Sequence, residues 1–203
     1  MAKNNTPIVK LSRRLGIVLG KEKYVRRRPY PPGVHGPKQG NHRRISGYGE
    51  QLMEKQKAKA VYGLLEKQFR KCFEKASQSK GNTSEFMIQL LEQRLDNVIY
   101  RLGFAKTRKQ ARQIVGHGFV LVNNALVDIP SYQVKIGDEI SVKENKKAKG
   151  IVKAIAELKK ENQVPKWLNA DAAALKGKVT GEPTMDDVEK MFDPRLIVEF
   201  YSR

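Results

Sequence analysis

Between Lys21 and Arg44 the chain sets arginine runs among prolines and glycines: Arg26-Arg27-Arg28, then Pro29-Tyr30-Pro31-Pro32-Gly33-Val34-His35-Gly36-Pro37, then His42-Arg43-Arg44. Proline fixes φ and removes a backbone donor, while glycine opens turns. Neither one helix nor the interior of a sheet can accept that spacing. Residues 1–48 also lack sustained periodicity, so they are expected to form an extended basic arm. Blocks of like charge repel, and such an arm either stays disordered or becomes ordered along a polyanion.

The rest of the charge points the same way. Among 203 residues, 40 Lys plus Arg face 21 Asp plus Glu, a formal net charge of +19. Residues 1–60 hold 15 basic and 3 acidic side chains, residues 61–165 hold 19 and 11, and residues 166–203 hold 6 and 7. The surplus therefore lies towards the start, and the near-neutral tail has the composition of an element that packs. So large a surplus calls for a polyanionic partner. A membrane surface fits less well, because a membrane-binding helix sets bulky apolar residues opposite its charge. The Pro/Gly-rich arginine segment cannot do so. No stretch reaches the roughly 20 apolar residues that span a bilayer. The opening Met1-Ala2-Lys3-Asn4-Asn5 leads into no apolar signal segment, and Cys72 is the single cysteine. An intracellular chain in a reducing compartment is expected.

From Gly49 the pattern turns helical. Val61, Leu64, Leu65, Phe69, Cys72 and Phe73 mark one apolar stripe, with Lys55, Lys59, Lys67, Arg70 and Lys71 on the other faces. Gly81 is the expected stop, and Asn82 or Ser84 the next cap. A second helix follows, burying Met87, Leu90, Leu91, Leu95, Val98, Ile99 and Leu102 and ending at Gly103. Thr107-Arg108-Lys109-Gln110 is a capping box opening a short helix whose Ala111, Ile114 and Val115 face inward. Two β-prone runs, Phe119–Val122 and Ala125–Val127, flank Asn123-Asn124 and predict a tight hairpin. Glu139–Val142 predicts a further strand. Residues 143–165 are Lys-rich and weakly helical at Ile151, Ile155 and Leu158, Trp167 and Leu168 anchor to a core, and Leu196–Tyr201 is expected to be a strand or extended segment.

On the short helix, Arg108 and Arg112 are four residues apart and share a face, with Lys109 and Gln113 beside them. A capped helix N-terminus with a basic face suits phosphates, and an arginine fork can take two phosphate oxygens at once. Arg94 and Arg101, seven residues apart, extend that surface, and Asn123, Asn124, Ser131, Tyr132 and Gln133 add donors for sugars or base edges. Each of these alone could be a solvated charged face; the +19 charge and the arm favour binding. The strands offer Val, Leu and Ile, not exposed aromatics, so recognition is expected to rest on phosphates, 2′-hydroxyls and RNA shape, not on base stacking. Enzyme signatures are missing. No phosphate loop occurs, Cys72 falls on the apolar stripe, and His35, His42 and His117 have no cysteine or carboxylate cluster nearby. One cysteine cannot complete a zinc site. Asp186-Asp187 and Glu189 are expected to be an exposed acidic helix start.

Several stretches carry a family resemblance. Tyr48-Gly49-x-Gln51-Leu52-x-Glu54-Lys55-Gln56-Lys57, Tyr62-Gly63, Leu65-Glu66-x-Gln68-Phe69-Arg70 and Lys80-Gly81-Asn82-Thr83 are among them. So are Arg94-Leu95-Asp96-Asn97-Val98-x-Tyr100-Arg101-Leu102-Gly103-Phe104 and Thr107-Arg108-x-x-Ala111-Arg112-Gln113. With Pro32-Gly33-x-His35-Gly36 and Ile197-Val198-Glu199-x-Tyr201-Ser202, they resemble the S-four family of small-subunit ribosomal proteins, in order and over nearly the whole chain. The resemblance implies an α+β fold: a mostly helical domain (49–91 with 166–203), an inserted helix-helix-hairpin RNA-binding module (92–165), and the arm (1–48). It implies direct binding to the 5′ domain of small-subunit rRNA at a multi-helix junction, and a part in nucleating subunit assembly. It also implies a place beside ribosomal proteins S-three and S-five near the channel by which mRNA enters, with an effect on decoding accuracy. Some relatives also repress their own messenger. The RNA-contacting residues expected on this reading are Arg13, Arg14, Arg26, Arg27, Arg28, His35, Arg43 and Arg44 in the arm. Tyr48, Gln51, Lys55, Gln56, Arg70 and Lys71 follow in the helical part. The module supplies Arg94, Arg101, Thr107, Arg108, Lys109, Arg112, Gln113, His117, Asn123, Ser131 and Tyr132. No catalytic residue, cofactor, metal or small-molecule substrate is expected. Many bacterial relatives hold zinc through cysteines in the arm, but residues 1–60 contain none, which marks the zinc-free form. The same module occurs in pseudouridine synthases and in a heat-shock ribosome-rescue protein. The first would need a catalytic domain that residues 1–90 and 166–203 do not offer, and the second lacks the arm and the Tyr48–Arg70 element.

Overall fold

The computed structural model describes residues 6–37, 45–143, 164–171, 174–188 and 191–203. The expected contacts Arg43 and Arg44 and the weak helix at 151–158 lie outside these residues, as do His42 and Glu189. The chain forms two compact units, residues 1–84 with 189–203 and residues 85–188. Among the described residues no helix is long and apolar enough to cross a membrane.

In the first unit the arm is more structured than its prolines suggest. Ile8, Leu11, Ser12 and Leu15 recur at helical steps in α1 (Ile8–Leu15), which ends at Gly16 with φ 69°. Ser12 Oγ accepts from Leu19 N at 3.2 Å, turning the chain towards α2 (Glu22–Arg26). Beyond α2, Arg13 donates to the Tyr30 carbonyl at 2.9 Å and the Pro31 carbonyl at 3.3 Å, and its guanidinium lies over the Tyr30 ring. A Cβ at Gly36 would collide with the Pro31 carbonyl, so this turn closes only around glycine.

Ser46 caps α3 (Gly47–Val61) by accepting from Gly49 N. The apolar stripe expected from Val61 to Phe73 is divided between two helices. Tyr62-Gly63 makes the break, Gly63 at φ 65°, and α4 (Glu66–Gln78) restarts beyond it with Phe69 and Ala76 buried. Cys72, expected in the core, is only half-buried. The C-terminal segment is a helix, not the expected strand. Its Ile-Val pair favours β structure, but Pro194 opens a first turn that Asp193 caps by accepting from Arg195 N at 2.9 Å. The helix runs along α3 and buries Ile197 completely.

In the second unit the single helix expected up to Gly103 is two. α5 (Thr83–Glu92) and α6 (Leu95–Arg101) are separated by extended Arg94, which bridges to Gln133. The bare N–H groups of Leu95 and Asp96 are satisfied by the carbonyls of Tyr132 and Pro130. α7 (Arg108–Gly116) leads into β1 (Val120–Val122) and β2 (Ala125–Leu126), joined at Asn123 and Asn124 with φ 50° and 64°. Two consecutive left-handed residues make the turn that the Asn-Asn pair predicts. β3 (Glu139–Val142), β4 (Leu168–Asp171) and β5 (Lys176–Val179) complete an antiparallel sheet in the order β2-β1-β3-β5-β4.

The fifth strand corrects the expected allocation of residues 166–188 to the helical part. β5 pairs with β3, Ile140 opposite Gly177. Trp167, Leu168, Leu175 and Val179 share one core with Leu95, Leu102, Phe104, Val115 and Ile140. Two lysines and a glycine hide the apolar alternation of Lys176–Val179 in the sequence. The charged pair Lys176 and Lys178 is the exposed face, and Gly177 is where β5 meets Leu102: a Cβ there would lie 2.6 Å from both Leu102 methyl carbons. With β4 and β5 placed, the fold is α+β and mostly helical.

Candidate nucleic-acid interface

α7 is where the second unit presents basic side chains. Thr107 Oγ1 accepts from Gln110 N at 3.2 Å, and Gln110 Oε1 reaches back to Lys106 N at 2.9 Å, one residue beyond the reciprocal partner of a capping box. Ala111, Ile114 and Val115 bury the opposite face, leaving Lys109, Gln113 and His117 exposed. Arg108 is half-buried. Its Nε donates to Asn97 Oδ1 at 2.9 Å, and its guanidinium lies 4.5 Å from the centre of the Tyr100 ring. Arg112 is half-buried too. Burial pushes its pKa below the usual guanidinium value, the Asp96 carboxylate opposes that, and Arg94 adds to it. Guanidinium remains charged at neutral pH regardless.

Sequence spacing misplaces the neighbouring arginines. Arg94 is 3% exposed, and its Nε and Nη2 donate to the two oxygens of Asp96 at 3.1 and 2.9 Å. Arg101 grips Glu92 in the same two-pronged way at 3.0 Å for each bond. A buried guanidinium without a carboxylate loses several kcal/mol of solvation, so each carries its own counter-ion. Arg94 is thus buried in its ion pair with Asp96. Asn123 is likewise occupied internally: Nδ2 donates to Asp138 Oδ1 at 2.8 Å, and Oδ1 accepts from Glu139 N at 2.9 Å. Ser131 is exposed and Tyr132 half-buried on the loop that caps α6.

In the first unit, Arg14, Arg27, Arg28 and His35 are exposed, and Arg26 pairs one turn back with Glu22 in an exposed contact. Arg13 instead holds the proline turn, as described above. Lys71 and Arg70 are exposed, the latter paired with Glu74 at 3.1 Å. Gln51 and Lys55, expected at the RNA surface, are turned into the fold. Gln51, 8% exposed, donates to Glu199 at 2.9 Å. Lys55, 6% exposed, donates to Glu66 Oε1 at 2.9 Å and lies over the Phe200 ring at 4.4 Å. Both therefore fix the C-terminal helix. Gln56 is half-buried on the same helix, and exposed Tyr48 rests against Phe200 with Arg203 over its ring. Gln51 meets Glu199, 148 residues further along the chain, and so distant a partner leaves no local spacing signal.

Four further positions were not anticipated. Asn97 and Tyr100 hold Arg108, and Lys176 with Lys178 lies on the exposed face of β5. Alternation of lysine with Gly177 and Val179 could have revealed the last pair. Among the described residues, no group of three or more His, Cys, Asp or Glu side chains could hold a metal ion.

Residues 3–92 match the family model described as ribosomal protein S4/S9 N-terminal domain, and residues 93–140 match that of the S4 domain. The chain is 50% identical over 204 residues to small ribosomal subunit protein uS4 of Geobacillus sp. (strain WCH70), covering 100% of both chains. It is 46% identical over 207 residues to that of Roseiflexus castenholzii, again covering 100% of both. To the Aquifex aeolicus protein of the same name it is 49% identical, with 97% of each chain covered. Full-length identity at this level, with both domain models matched in order, leaves one conclusion: the chain belongs to the uS4 family of small ribosomal subunit proteins, RNA-binding structural components of the ribosome and not enzymes.

Proposed function

We propose that the chain is a primary binder of small-subunit rRNA, gripping a multi-helix junction of the 5′ domain before other proteins join and so nucleating the body of the subunit. The observation that carries this reading is α7, whose capped N-terminus bears Arg108, Lys109 and Arg112 on one basic side with the opposite side buried. Arg108 and Arg112, both half-buried, suit charge-assisted bonds to phosphate oxygens better than freely solvated lysines do. The exposed arginines of the arm add long-range attraction. In the assembled, cytoplasmic ribosome the same reading puts the protein beside S-five and S-three at the channel by which mRNA enters, with an influence on decoding accuracy. Repression of its own messenger is the secondary role.

The test is a filter-binding titration of the full chain against a protein-free 5′-domain rRNA. Neutralising about 6 phosphates gives a log–log salt slope of about −4 or steeper. A flat slope refutes the electrostatic account. Changing Arg108 and Arg112 together to Ala is expected to weaken binding about a hundredfold with folding intact, since each charge-assisted bond contributes roughly 1.5 kcal/mol or more. Unaltered affinity would move the contact away from α7. Crosslinking on assembled subunits checks the neighbours.

A further inference from the structure

Asn97 is 2% exposed, and both ends of its amide are used. Nδ2 donates to the Glu92 carbonyl at 3.0 Å and to Glu92 Oε2 at 2.7 Å, while Oδ1 accepts from Arg108 Nε at 2.9 Å. Glu92 is fully buried and takes the Arg101 fork on the same carboxylate. A carboxylate only accepts, so the amide facing it must present its NH2 group. That leaves the amide oxygen pointing at Arg108 and gives the Nε–H one fixed partner. Tyr100 supplies a ring against the guanidinium plane. A freely solvated arginine must lose on the order of 2 kcal/mol of rotamer freedom when it grips a phosphate. One already held at Nε and against a ring has lost much of it beforehand.

We propose that Glu92, Asn97 and Arg101 are positioning residues for RNA binding: the buried carboxylate, through Asn97, orders the Arg108 guanidinium before RNA arrives. This rests on the reading that Arg108 contacts rRNA. A purely structural network would tie α5 to α6 and leave the RNA affinity untouched once the protein is folded.

Glu92→Gln in the full chain separates the two. Glutamine must turn its own NH2 towards Asn97 or Arg101, setting donor against donor and releasing the constraint on Asn97. With folding verified by circular dichroism, affinity for the 5′-domain rRNA is expected to fall about tenfold, and the salt slope to become shallower by about 0.7 as one phosphate contact is lost. Arg108→Ala should give a similar loss, and adding Glu92→Gln to it should cost no further affinity. Losses that add in the double variant overturn the proposal, as does a Glu92→Gln protein with lowered thermal stability but unchanged affinity and slope. Arg108→Ala with unchanged affinity sinks the underlying RNA-contact reading as well, and is recognisable as that failure because it needs no change at Glu92. If Glu92→Gln does not fold, the wild-type protein decides by NMR without RNA. A resolved, slowly exchanging Arg108 Nε–H supports ordering in advance, and a signal averaged like that of exposed Arg14 overturns it.

Discussion

The arm and the α6–α7 region are both rich in arginine, yet they hold it in opposite ways. In the arm, Arg14, Arg27 and Arg28 stand in solvent and Arg26 pairs with an exposed neighbour one turn away; among the described arginines of the arm, Arg13 is the anchored one. Around α6 and α7, Arg94 and Arg101 are enclosed in two-pronged pairs with Asp96 and Glu92, and Arg108 and Arg112 are half-covered. The difference follows from solvation. A guanidinium leaves water only where a carboxylate and further hydrogen bonds replace the lost hydration. The arm offers one acidic residue up to Pro37, Glu22, whereas residues 85–96 offer Glu85, Glu92 and Asp96. Exposed arginines supply attraction at a distance, and enclosed ones supply geometry.

The sharpest way to break that distinction is to remove one arginine of each kind. Arg94→Ala strands Asp96 in the interior and is expected to destabilise the second unit by about 3–5 kcal/mol. Arg14→Ala should change stability by no more than about 0.5 kcal/mol. Chemical denaturation measures both. Equal effects would mean that burial does not separate the two groups.

That arginines of one composition divide so unequally explains what could be read from the sequence. The α7 cap, the Asn-Asn hairpin and the β3 strand were legible because each depends on neighbours within a few residues. The basic side of α7 was legible in the four-residue spacing of Arg108 and Arg112, a local feature as well. The inward turn of Arg94 was not legible. It depends on an extended residue between two helices, and unbroken apolar periodicity from Met87 to Leu102 concealed that break. The partners of Gln51 and Lys55 lie on Glu199 and Phe200, brought close only by the tertiary fold. β5 was hidden because its exposed face is lysine and its core face is half glycine.

β5 gives the next test, with a smaller effect. Gly177→Ala would force a methyl group against Leu102, which is 1% exposed and has little room to retreat. A loss of about 1 kcal/mol or more in the stability of the second unit is expected. No loss would mean that β5 is not tightly seated on α6, and with it that the enclosed region ends at β3. Comparable in free energy, but felt in binding and not in folding, is the change expected from converting Arg26, Arg27 and Arg28 jointly to Ala. Protein stability should hold, rRNA affinity should fall about tenfold at moderate salt, and the salt slope should become shallower by about 2 units. An unchanged slope would show that the arm's charge does not reach phosphate.

Glu66 sharpens the comparison from the acidic side, because it is a half-exposed counterpart of the fully buried Glu92. Burial pushes its carboxyl pKa up, but hydrogen bonds from Lys55, Lys59 and Tyr201, with the nearby Lys59 charge, outweigh that and lower it from 4.5 to about 2. The same contact raises the Tyr201 hydroxyl well above its usual value, first through burial and then through Glu66 itself. A carboxyl held below its unfolded value stabilises the fold above pH 4.5, and that contribution disappears as the pH falls from about 4.5 to about 2. The group is 46% exposed, so solvent screening keeps the effect modest. Acid titration of the wild type followed by denaturation should show the decline in that window, and Glu66→Gln should flatten it there. If Glu66→Gln left the acid profile unchanged, the tie between Lys55, Lys59 and Tyr201 would not be held by the charge on Glu66. The half-exposed cluster would then owe its order to the stacking of Lys55 on Phe200 and Tyr201, and enclosure alone would not be what distinguishes charges that fix geometry from those that merely attract.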